Sequence, residues 1–329
     1  MIEQGEERQP MELGEIYDKG KEILLGQKIG FTLGAVETGW VMENSRRVLN
    51  SYALRQKSID APSAAATDVT VLGRTLKTPV IMSAMTMPIP AIREDGLMLV
   101  AQGLKEAGSM MWTGTPVPQN LRGLADTGVG IIQNVKPLED RNKLFQELED
   151  IQAAGVTWVG VEVDSGQGTK IKDQMMASNC RPLSMAELHK IRQVVTRPLV
   201  FKGVLSGYDA ARSIEAGADA IMVSNHGAHT IDYLPHPFQV MDEIQKVVDG
   251  RIPVFVDSGF RRGSDVLKGL AFGADLVGLG RPILYGLAAD GADGVRDVVQ
   301  HITNELKRNM IMVGANSVEQ VSRHCVIKI

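Results

Sequence analysis

Three side chains able to move or stabilise charge stand at the ends of short apolar runs. They are Asp164 in Val163-Asp164-Ser165-Gly166, Lys202 in Phe201-Lys202-Gly203, and His226 in Ser224-Asn225-His226-Gly227. An imidazole flanked by small polar residues is placed for proton transfer. A carboxylate beside it would hold one tautomer and stabilise the protonated ring. A lysine that ends a buried run must aim its ammonium into a polar site, because burying it unpaired is costly. Each has a plainer reading: a lone histidine is usually structural, and Lys202 would equally serve as partner to a structural carboxylate.

Two further segments combine glycine with arginine: Asp257-Ser258-Gly259-Phe260-Arg261-Arg262-Gly263 and Gly280-Arg281-Pro282. Small residues and free backbone N–H groups ahead of helices make a phosphate cradle. Arg261 and Arg281 would add charge-assisted bonds to phosphate oxygens. The alternative is that these glycines only turn the chain. Gln133-Asn134 offers amide donors and acceptors. Ser83-Ala84-Met85-Thr86 is small enough for backbone to lie flat against a planar ring. Trp112 is a candidate pocket wall. His236 reads as a loop cap, whereas His229 stays open between substrate contact and loop. Met82, Met85, Met87, Met110 and Met111 read as core and ring-packing groups, since methionine fills irregular gaps.

The elements that must position these residues show a rhythm from Thr78 onward. Strands are expected at Pro79–Ser83, Ser109–Trp112, Gly130–Gln133, Trp158–Val163, Leu199–Lys202, Ala220–Val223, Val254–Val256 and Leu276–Leu279. Helical periodicity fills the gaps at Leu138–Ala154, Met185–Val195, Tyr208–Ala216, Phe238–Val248 and Ser264–Phe272. Near-continuous apolar strands alternating with helices imply a parallel sheet covered on both faces. Eight units over about 230 residues favour a closed (β/α)8 TIM barrel over an open doubly wound sheet. The fold class is therefore α/β, with an N-terminal helical extension. Residues 1–70 form the helical segment, with helices over Gly14–Leu25 and Val41–Tyr52 and a loop over Ala61–Thr67. Residues 71–329 form the barrel. In such a barrel the chemistry sits at the C-terminal ends of the strands.

Composition narrows the class. The 329 residues carry a net charge of −4 with no basic block, so nothing recruits a nucleic-acid backbone. Cys180 and Cys325 are too few and too far apart for a disulfide scaffold or a zinc site. No run approaches the ~20 apolar residues of a membrane span. Met1–Pro10 is polar, without an apolar leader. A cytoplasmic enzyme is the expectation, with no metal.

These residues resemble the FMN-dependent 2-hydroxy-acid oxidases and dehydrogenases. The resemblance is carried by Lys202-Gly203-Val204-Leu205, by Ala218 through Gly227, by Asp257 through Val266, and by Gly280-Arg281-Pro282. It implies FMN resting on Ser83, Ala84 and Met85. Gln133, Lys202 and Ser224 would meet the ring, and Asp257, Gly259, Arg261, Gly280 and Arg281 the ribityl phosphate. His226, supported by Asp164, would take a proton from a small-molecule substrate while a hydride equivalent passes to flavin N5. Oxygen, a quinone or a protein carrier would reoxidise the flavin. A homotetramer or octamer is implied by the same likeness.

Departures from that pattern are concentrated at the substrate. His229 stands where the family carries an arginine that grips a carboxylate, and histidine cannot reproduce the guanidinium fork. Val135 replaces a tyrosine, Gly30 aligns loosely with another, and Glu162 replaces a threonine that contacts the flavin. Lys170 and Lys172 lie near where a second arginine belongs. The loop after the fourth strand is short, so much of a substrate lid is expected to be missing. The leading reading is an FMN-dependent oxidoreductase acting on a CH-OH or related CH-NH group with altered substrate specificity. The alternatives are a non-redox flavoenzyme resembling type 2 isopentenyl-diphosphate isomerase, and a flavin-binding partner subunit without turnover.

Overall fold

A computed structural model describes residues 11–27 and 29–329. The polar start Met1–Pro10 lies outside the described residues. The barrel strands are β1 (Val80–Met82), β2 (Met110–Thr113), β3 (Gly130–Val135), β4 (Trp158–Glu162), β5 (Leu199–Val204), β6 (Ala220–Val223), β7 (Val254–Val256) and β8 (Leu276–Leu279). They form one eight-stranded sheet in the order β1-β8-β7-β6-β5-β4-β3-β2, with parallel pairing throughout. The two edges meet: Ser109 Oγ donates to the Val80 carbonyl at 2.7 Å, and Met85 N–H to the Trp112 carbonyl at 3.1 Å. The sheet is thereby a closed (β/α)8 barrel with helices outside. Every residue of every barrel strand is buried, the state a two-sided apolar strand requires.

Local chemistry sets the element ends. The Asp140 carboxylate caps Arg141–Ala153, so that helix starts three residues later than its periodicity suggests. Ser184 and Glu187 form a reciprocal capping box on Met185–Val194. The glycines that end three helices, Gly155, Gly217 and Gly273, are left-handed, with φ of +90°, +85° and +91°.

The N-terminal part contains α1 (Leu13–Gly26) and α2 (Trp40–Asn50), and α1 packs on the long segment Arg281–Val313. That approach is close: a Cβ on Gly20 would lie 2.3 Å from the Tyr285 carbonyl oxygen. Two features escaped the sequence pattern. A hairpin of Val69–Val71 with Arg74–Leu76 straddles the division drawn at residue 70. Tyr52–Leu54 pairs antiparallel with Val326–Lys328, so the far end of the chain folds back onto the N-terminal part. Among the described residues, no helix is long and apolar enough to cross a membrane.

Candidate active site

A cavity opens at the C-terminal ends of the barrel strands. Its floor carries the charged groups. Asp164 Oδ2 lies 2.8 Å from His226 Nδ1, and Lys202 Nζ lies 3.3 Å from the same nitrogen. Burial pushes the Asp164 carboxyl up, but the charges of His226 and Lys202 and the imidazole hydrogen bond outweigh it and leave it below its ordinary value. Asp164 is therefore an anion, and an anion accepts. Nδ1 carries the proton that it accepts, and Nε2 is left as the basic nitrogen. Burial opposes the ammonium of Lys202, yet Glu162, Asp164 and Asp257 together raise its pKa. The backbone at His226 is left-handed (φ +57°), followed by Gly227 (+60°) and Ala228 (+69°). Two non-glycine residues in that region mark a turn held by its surroundings. Ser224 Oγ accepts from His226 N–H at 3.0 Å, and Val36 N–H donates to the Ala228 carbonyl at 2.9 Å.

Beyond this floor, Ser83, Ala84, Met85, Asp257, Gly259, Arg261, Gly280 and Arg281 all line the cavity. Ser83 Oγ is buried without a partner, and the same holds for His229 Nδ1. Burial holds His229 down to about 3, so its ring is neutral. Gly259 follows Ser258 with φ of +93° and +86°, which turns the backbone toward the space where Arg261 stands. Arg281 also has a structural role. Its guanidinium donates to the carbonyls of Thr32 (3.3 Å), Gly34 (2.6 Å) and Gly227 (3.3 Å), and so pins the N-terminal part to the His226 turn. Burial lowers its pKa and Arg261 lowers it further. Two cations near each other suit a phosphate there.

Three expected contacts do not reach the cavity. The Trp112 side chain is not a pocket wall: it is fully buried in the barrel core, edge-on to Phe255 at 6.5 Å, with Nε1 donating to Asn134 Oδ1 at 2.7 Å. Gln133 spends its amide on the carbonyls of Gly114 (2.8 Å) and Asn134 (2.6 Å). Ser224 serves the His226 turn. His236 caps Pro237–Val248, accepting from Phe238 N–H at Nδ1. Met82, Met110 and Met111 are core, while Met85 and Met87 line the cavity and Met87 is exposed. The short segment after β4 still covers part of the cavity. The segment after β4 forms a hairpin of Lys170–Ile171 with Gln174–Met175, and Thr169, Lys170, Ile171, Met176 and Ala177 cover one side of the cavity. Lys170 N–H to the His229 carbonyl (2.7 Å) and Lys172 N–H to the Ala35 carbonyl (2.9 Å) hold it down.

Sequence reasoning missed Lys136; it noted Glu162 only as the replacement for a flavin-contacting threonine and gave it no role. Both line the cavity, with Lys136 Nζ 2.9 Å from Glu162 Oε2. The signal was present: each is a charge at the end of an apolar strand, the same pattern that singled out Lys202. Arg46 also lines the cavity and is paired with Asp265 at 2.9 Å; on a helix its charge carried no such signal.

A family model described as FMN-dependent dehydrogenase matches residues 21–176 and 165–328. An L-lactate oxidase of Lactobacillus jensenii is 31% identical, covering 95% of this chain and 84% of the relative. Glycolate oxidase 3 of Arabidopsis thaliana is 30% identical, covering 93% of each. Among solved structures, a mandelate oxidase in complex with 3,3-difluoro-2-hydroxy-3-phenylpropionic acid superposes with a TM-score of 0.86 at 26% identity, over 94% of this chain and 97% of that one.

Proposed function

The chain belongs to the FMN-dependent dehydrogenase family, and from that premise we propose that it oxidises a carbinol or related amine with His226 as base, on a substrate other than glycolate or lactate. The observation that carries the reading is the 2.8 Å contact of Asp164 with His226 Nδ1, which leaves Nε2 as the basic nitrogen. The residues fit FMN: an orphaned Ser83 hydroxyl, the left-handed Ser258-Gly259 turn, and Arg261 with Arg281 lie along one cavity wall. Ser83, Ala84, Met85 and Lys202 would hold the ring, and Asp257, Gly259, Arg261, Gly280 and Arg281 the ribityl phosphate. Bound FMN supplies the acceptor for the electron pair that leaves the substrate carbon.

His226 Nε2 takes a proton from the substrate. Asp164 fixes the ring orientation and stabilises the imidazolium that results. Lys202 offsets negative charge that develops beside it. His229 stands on the cavity wall as a neutral ring, so it offers a substrate carboxylate neither charge nor a two-point grip. A site whose polar groups a ligand leaves unpaired rejects that ligand.

The test is a visible spectrum of the purified protein, followed by anaerobic reduction across hydroxy acids, alcohols and amines. Bleaching by an alcohol or amine, absent in His226→Ala, supports the reading. Ordinary turnover of glycolate or lactate overturns its substrate part. A flavin that no compound bleaches returns the field to a non-redox flavoenzyme or a partner subunit.

A further inference from the structure

The Lys136–Glu162 pair is a second charged device in the same cavity, joined by hydrogen bonds to the His226–Asp164 pair only through the Ser165 hydroxyl, among the described residues. Glu162 is buried, with only 3% of its side chain exposed. One carboxylate oxygen, Oε2, accepts from Lys136 Nζ at 2.9 Å and from Ser165 Oγ at 3.2 Å. The other, Oε1, accepts from Asn134 Nδ2 at 3.1 Å. It also lies 3.8 Å from His226 Nε2 and 3.9 Å from Lys202 Nζ. Both distances exceed a hydrogen bond, so Oε1 retains acceptor capacity beside the basic nitrogen. Burial opposes the charge of Glu162, but Lys136, His226 and Lys202 hold its carboxyl well below the usual range. It is an anion wherever the enzyme works.

The charge balance at this end is unfavourable for an anionic ligand. Lys136 and Lys202 face Glu162, Asp164 and Asp257, and Lys136 is already committed to Glu162. His229, a neutral ring whose Nδ1 is buried without a hydrogen-bond partner, also lines the cavity. Arg281, close to His229, directs its Nε and Nη2 to backbone carbonyls. A carboxylate beside Glu162 would meet fixed negative charge at low dielectric, and the two lysines there are already engaged with carboxylates. An ammonium or hydroxyl would find an unsaturated acceptor in Glu162 Oε1, and a second in His229 Nδ1 when the ring carries its proton on Nε2.

We propose that Glu162, neutralised on its far side by Lys136, is the specificity-determining residue of this cavity, and that it selects a substrate bearing a hydrogen-bond donor, preferentially cationic, next to the oxidised carbon. The substrate class is the amino alcohols. This rests on the reading that the cavity is the substrate site, and it adds which group the substrate must present.

Glycolate, ethane-1,2-diol and 2-aminoethanol share one carbinol and differ in charge, so they isolate the effect. Calorimetric titration of the FMN-loaded protein, its flavin reduced beforehand and kept anaerobic, reads binding alone, because a reduced flavin accepts no further electron pair. The expected order is 2-aminoethanol tightest and glycolate weakest, separated by at least about tenfold. Glu162→Gln frees the Lys136 ammonium and should invert that order. If the freed lysine unfolds the protein, the double variant Glu162→Gln/Lys136→Met removes both charges together and should bind all three compounds within about threefold. Glycolate bound as tightly as 2-aminoethanol, equal responses to all three including none, or an order unmoved in Glu162→Gln overturns the proposal. Because no electron transfer is read, an order as expected in a protein that no substrate bleaches would sink the catalytic reading and leave this one standing.

Discussion

Gly203 and Asp164 compete for the same space. A Cβ at position 203 would lie 2.1 Å from Asp164 Cγ, and Gly203 sits at φ +92°, where a side chain is strained in any case. The glycine is what lets the carboxylate reach His226. Gly203→Ala should therefore push Asp164 away and lower kcat by at least about tenfold beyond any loss of FMN, at a stability cost of about 1–3 kcal/mol. Turnover per bound flavin measures the first and thermal unfolding the second. A fully active Gly203→Ala protein would contradict the assignment of Asp164.

Asp164→Asn keeps the shape and removes the charge. An amide no longer compels Nδ1 to carry the proton, and the imidazolium loses its stabiliser. Turnover should fall by roughly 10²- to 10⁴-fold with flavin content unchanged. An equal loss of flavin would place Asp164 in cofactor binding instead.

Ser83 Oγ is buried without a partner, and an unsatisfied buried hydroxyl costs about 1–3 kcal/mol. Ser83→Ala should raise the melting temperature of the flavin-free protein and weaken FMN binding. Opposite shifts in the two measurements, melting and flavin titration, are the signature of a group kept for a ligand.

His236 is fully buried and its pKa is held down to about 3, chiefly by burial. The unfolded ring titrates near 6.5, so above that pH neither state binds the proton. As pH falls from about 6.5 toward 3 the unfolded chain takes up a proton that the folded one refuses, and stability drops by about 1.4 kcal/mol per pH unit. His236→Asn, which keeps an acceptor and a donor, should flatten denaturant midpoints over that window relative to the parent. Identical slopes would show that carboxylates alone govern acid sensitivity.

The barrel was legible because its strands are continuous apolar runs with unambiguous ends. β6, β7 and β8 begin and finish where the pattern places them. His226 and Asp164 were legible for the same reason, as polar residues at those ends. Trp112 was misplaced because a strand buried on both faces gives no alternation to say which residues point inward to the barrel core. The hairpins at 69–76 and 170–175 have strands of two or three residues, too short for a period to register. The structural contacts of Arg281 were not legible because its carbonyl partners, Thr32 and Gly34, come from a segment about 250 positions earlier, which local spacing cannot reveal. Lys136 and Glu162 stood at strand ends like Lys202, but their pairing became legible only when the barrel brought β3 and β4 side by side.

The pairing of Tyr52–Leu54 with Val326–Lys328 has a consequence for anyone trimming or tagging the protein. The tail strand clamps the residues that leave α2, and α2 supplies Ser45 and Arg46 to the cavity wall. Arg323, stacked 3.6 Å over the Phe272 ring, anchors the same tail to the barrel. Cutting four residues from the carboxyl end would thus be felt not at the cut but at the mouth, as a looser grip on whatever the cavity holds.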